Sequence, residues 1–106
     1  MARYDPSIVE KNRYHIVEVY INDLKELRSG RVPQFIESHA AMLEAALPYF
    51  SEQEREYYEA AITAGENQAR FLSSKDNAER LRSSEAARMK TIDQFCEFVE
   101  QHPPQQ

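Results

Sequence analysis

The sequence predicts an all-α protein, an antiparallel up-down-up-down four-helix bundle in one domain. Apolar residues recur at intervals of three and four, as the buried stripe of a helix requires. Residues that start and stop helices punctuate that pattern at its ends. Only 2 glycines occur in 106 residues, too few for the turns of an all-β fold.

The first helix is assigned to 6–29. Asp5-Pro6 reads as an N-cap followed by proline at the first helical position. Val9, Ile16, Val17, Tyr20, Ile21, Leu24 and Leu27 supply its apolar residues, with 17, 20, 24 and 27 in three-four rhythm. Lys25 and Arg28 place positive charge in the last turn, where it complements the helix dipole. Gly30 can close the helix in a left-handed conformation. Tyr14 to Ile21 is rich in β-branched and aromatic residues and would suit a strand by composition. Helix is preferred because the flanks are helical and no other segment offers a pairing partner.

The second helix is assigned to 33–47, with Pro33 in its first turn. Phe35, Ile36, His39, Ala40, Leu43, Ala46 and Leu47 share a face, and Pro48 ends it. The third is assigned to 52–72. Ser51 and Glu54 have the spacing of a capping box, and Phe50 is placed to staple onto the Arg55 stem, Tyr57 or Tyr58. Its core residues are Tyr58, Ala61, Ile62, Gly65, Ala69 and Leu72.

The fourth helix is assigned to 77–101. Asp76 and Glu79 repeat the capping-box spacing, and Ala78, Leu81, Met89, Ile92, Phe95, Cys96 and Val99 face inward. The domain then covers 1–102, with 103–106 a disordered tail. One alternative fuses the last two helices into a helical hairpin with a long C-terminal helix over 52–101. At 1.5 Å per residue that rod is about 75 Å long and requires a dimer. Ser73-Ser74 followed by Asp76-Asn77 favours the break.

The formal net charge is −5. This acidic balance argues against nucleic acid and against an anionic membrane surface as partners. No apolar stretch spans a bilayer, and Met-Ala-Arg-Tyr-Asp lacks the apolar core of a signal peptide. The single cysteine, Cys96, forms no intrachain disulfide and points to a reducing, cytoplasmic setting. The charges are segregated. Acidic residues dominate 51–66 and basic residues 67–90, so a hairpin sets Glu59 and Glu66 against Arg80 to Lys90. Closing the bundle brings Lys11 and Arg13 beside Glu97 and Glu100.

No chemistry-bearing motif emerges. His15, His39 and His102 are scattered, no Glu-x-x-His occurs, and no Cys/His spacing suits zinc. His39 lies on an apolar face and reads as a hydrogen-bonded boundary residue. The lysine and glycine of a phosphotransfer bundle are absent, since the chain continues Ala40-Ala41-Met42-Leu43. Cys96 is flanked by Asp93, Glu97 and Glu100, which oppose a thiolate, and reads as core. Glu52 and Glu56 read as an acidic helix start. Glycine-rich phosphate loops and nucleophile elbows are missing. No catalytic residue, cofactor or metal is expected, and no known family is resembled.

The aromatic residues carry the functional expectation. Adjacent helical residues point about 100° apart, so one bundle buries one of each neighbouring pair. The surplus at Tyr49, Phe50, Tyr57 and Tyr58 is expected to be a protein interface, where such rings are favoured. The expected function is therefore non-enzymatic protein–protein binding, as an adaptor, small chaperone or regulatory subunit, with self-association as a homodimer. The alternatives are a small-molecule pocket near His39, Gly65 and Cys96, and a nucleic-acid regulator using Arg80, Arg82, Arg88 and Lys90.

Overall fold

A computed structural model describes residues 5–73 and 84–101. All its regular structure is helical: α1 Pro6–Lys11, α2 Arg13–Arg28, α3 Ile36–Ala46, a 3-10 turn Leu47–Tyr49, α4 Glu52–Ser73 and α5 Glu85–Gln101. The chain is an all-α helical bundle in which α2 packs on α3 and α4 on α5.

Local chemistry fixes the ends. Asp5 is extended and accepts the Ser7 amide at 3.0 Å, with Pro6 opening α1. The Ser7 hydroxyl and amide hold the Asp5 carboxyl below its usual range. Gly30 has φ 93°, and its amide and that of Arg31 bond the carbonyls of Leu27 and Glu26 at 3.0 and 2.9 Å. This is a Schellman close, which satisfies carbonyls the helix leaves over. Ser51 and Glu54 form both bonds of a capping box: Glu54 N–H to Ser51 Oγ at 3.2 Å and Ser51 N–H to Glu54 Oε1 at 2.9 Å.

Helix boundaries differ from expectation at two places. The first helix is broken at Asn12, whose φ and ψ are −103° and 14°. Its side-chain amide donates to the Ile8 carbonyl at 2.9 Å, a local bond that bends helices. α3 begins at Ile36 rather than Pro33; Pro33 is buried ahead of it and its carbonyl accepts the Ile36 amide at 3.4 Å. Phe35 thereby leaves the expected core face and is 58% exposed. The expected start of the fourth helix at 77, with its Asp76 cap, and the tail 103–106 lie outside the described residues.

The expected stripe of the first helix is in place: Val17, Tyr20, Leu24 and Leu27 are fully buried. On α5 the buried set is Arg88, Ile92, Phe95, Phe98 and Val99, while Met89 and Cys96 are half-buried. Ile92, Phe95 and Val99 thus face inward as expected, while Arg88 and Phe98 take the buried places expected of Met89 and Cys96. Tyr14 to Ile21 is helical, which removes the strand alternative.

α4 and α5 run antiparallel, since Tyr57 stacks on Phe98 while Gln68 meets Arg88. A single rod through 52–101 would hold those pairs far apart, so the long-helix alternative is excluded. α5 meets α2 through Tyr20 and Phe95, with centroids 6.5 Å apart, and through the ion pair Arg28–Asp93 at 3.1 Å. The end of α2 thus lies beside the middle of α5. Arg13, expected beside Glu97 and Glu100, instead donates to the Glu10 carbonyl at 2.6 Å and lies over the Tyr14 ring.

Candidate functional site

The four aromatic residues singled out by the sequence cluster at the joint between α3 and α4, but they do not form a surface together. Phe50 and Tyr58 are buried, with 6% and 3% exposure, and their rings meet edge-on at 4.7 Å. Tyr14 packs on Phe50 at 5.5 Å, and Tyr58 on Phe95 at 5.6 Å. Tyr57 stacks on Phe98 at 4.3 Å and is half-buried, as is Tyr49. Phe50 is the staple, and it closes on Tyr58. Of the four residues expected to form one interface, Phe50 and Tyr58 pack inside the bundle, and Tyr49 and Tyr57 stay partly exposed. Tyr14 adds a hydrogen bond to Glu54 Oε2 at 3.3 Å, so Glu54 serves the cap and the cluster at once.

The three residues of the expected small-molecule pocket each meet different side chains. The Gly65 position is filled from α2: a Cβ there would overlap the Tyr20 hydroxyl and lie 2.9 Å from Leu24 Cδ2. Burial pushes the Tyr20 phenol well above its usual range, so the ring stays neutral. Cys96 is half-buried on α5. Burial raises its thiol pKa, Lys25 lowers it, and Asp93 and Glu100 raise it further, which makes an inert thiol. His39 is bonded through Nδ1 to Asp23 Oδ2 at 2.6 Å. The Asp23 side chain is 8% exposed and that of His39 27%, so the pair ties α3 to α2 at the edge of the core.

The basic band expected for nucleic acid is not a single exposed stripe. Arg80 and Arg82 lie outside the described residues, and Lys90 is exposed. Arg88 is buried: Nε donates to Gln68 Oε1 at 3.0 Å and a terminal nitrogen to Ser84 Oγ at 2.7 Å. Gln68 in turn donates to Glu85 Oε2 at 3.3 Å, completing a polar seam between α4 and α5.

The feature that sequence reading missed is a groove of about 490 Å³ between α3 and α4. It opens at the ends of these helices remote from their joint at 47–51. Val32, Ile36, Ala40 and Ala41 form one wall and Ala69, Arg70 and Ser73 the other; Tyr20, itself fully buried, underlies the floor. Glu37, Glu44 and Glu66 stand at the rim, all exposed. Val32 is 41% exposed at this end.

Comparison with known proteins found no matching family model, no matching curated protein and no matching solved structure. Among the described residues no group of acidic, histidine and cysteine side chains is arranged to hold a metal ion. No described helix is long and apolar enough to cross a membrane.

Proposed function

We propose that this chain is a non-enzymatic protein-binding bundle that accepts a helical segment of another protein in the α3–α4 groove. The observation that carries the reading is the alanine lining. Ala40, Ala41 and Ala69 bring small side chains to the facing walls, leaving room for larger apolar residues between the helices. Binding by an amphipathic helix buries such a surface through anchors spaced three and four residues apart. This moves the expected contact surface from the aromatic joint to the opposite end of the same two helices.

The reading is tested by titrating the isotopically labelled chain with a panel of amphipathic helical peptides and following its backbone amide signals. The expected footprint covers Val32 to Glu44 and Glu66 to Ser73, and Ala41→Trp, a substitution at an exposed groove residue, removes it. A footprint centred on Tyr49 and Tyr57, or no binding by any peptide, overturns the proposal.

A further inference from the structure

We infer that the segment held by the groove is cationic, with basic residues at i and i+7 bracketing apolar anchors at i+3 and i+4. This rests on the groove being a docking site for a helix. The inference comes from how charge and size are arranged along the two walls. On α3 the sequence Glu37, Ala40, Ala41, Glu44 places carboxylates two turns apart, roughly 10 Å along the axis, with two alanines between them. On α4 the same spacing recurs as Glu66, Ala69, Arg70, Ser73. The α3 wall therefore presents carboxylates at the ends of a two-turn stretch and small side chains in its middle, whereas on α4 Ala69 is the one small residue there and Arg70 stands beside it.

A partner helix whose own polar and apolar positions share this spacing meets both features at once. Leucine-sized anchors fill the volume the alanines leave open. Lysine or arginine at either end reaches Glu37 and Glu44. Among the described residues the groove lining carries three carboxylates, Glu37, Glu44 and Glu66, against the guanidinium of Arg70, so that lining favours a cation. An acidic helix of the same shape sets its carboxylates against those of the rim, and like charges in contact weaken binding.

The test uses the full chain and three synthetic helices of about 14 residues, long enough for the two-turn pattern and flanking turns. They share leucines at i+3 and i+4 and differ only in carrying Lys, Gln or Glu at i and i+7. Fluorescence anisotropy is expected to rank them Lys, Gln, Glu, with the Lys helix bound at least about tenfold more tightly than the Glu helix. Added salt should narrow the gap. Glu37→Lys with Glu44→Lys should reverse the ranking. Both sites are exposed, and Glu37→Gln with Glu44→Gln gives a milder variant that should bring the three affinities together. Three equal affinities that Ala41→Trp still abolishes would remove the cationic inference and leave the groove standing. A ranking unchanged in both charge variants would also remove it. Failure of all three helices to bind would instead remove the groove reading itself.

Discussion

At the joint between α3 and α4, the rings of Tyr14, Phe50, Tyr57, Tyr58, Phe95 and Phe98 interlock, whereas farther from that joint Ala40, Ala41 and Ala69 line an open groove. Each ring pair contributes about 0.5–1.5 kcal/mol beyond the area it removes from water. The alanines themselves add no ring contact; beneath them Tyr20 pairs with Phe95, and the Asp23–His39 bond ties α3 to α2. Side-chain volume thus distinguishes a filled part of the molecule from an open one.

The sharpest way to break this contrast is to compare Phe95→Ala with Ala41→Leu. Phe95 is fully buried against Tyr20 and Tyr58, and its truncation should cost about 3–5 kcal/mol in urea unfolding. Ala41→Leu, at an exposed groove position, should stay within about 0.5 kcal/mol. Similar losses at both sites would show that the groove end is as structural as the joint.

A smaller effect is expected at the polar tie. His39→Ala leaves the nearly buried Asp23 carboxylate without its 2.6 Å partner and should cost about 1–3 kcal/mol. Adding Asp23→Asn should restore part of that loss, because an unpaired amide is cheaper to bury than an unpaired charge. No restoration would mean that the histidine acts through packing alone.

The mildest case is Gly65→Ala, at the point where Tyr20 presses on α4. Overpacking costs about 1–3 kcal/mol, and better helix propensity returns about 1, so a net loss of about 1 kcal/mol is expected. Tyr20→Phe in the same chain should reduce that loss by removing the overlapping hydroxyl. An additive double variant would show that the hydroxyl is not the obstacle.

Much of this architecture could be read before any coordinates. The 17, 20, 24, 27 stripe, the Gly30 close and the Ser51–Glu54 box are legible because each is set by residues within a turn or two of one another. The Asn12 bend escaped notice because the competing bond is made by a side chain unremarkable in composition. Asp23 and Arg88 were missed because charged residues are read as outward-facing. Both sit in the rhythm of a buried stripe, Asp23 between Tyr20 and Leu27 and Arg88 four residues before Ile92, and that was the available signal. The groove had none. It is formed between residues of α3 and α4 some thirty positions apart in the chain, and no spacing within either helix encodes that juxtaposition.

Tyr20 has a consequence of its own. It is at once a keystone of the interior and the layer beneath the groove floor, seated in the notch that Gly65 leaves. Any guest that tightens that floor is thermodynamically linked to folding, so occupancy should register as a raised melting temperature whatever the guest's identity.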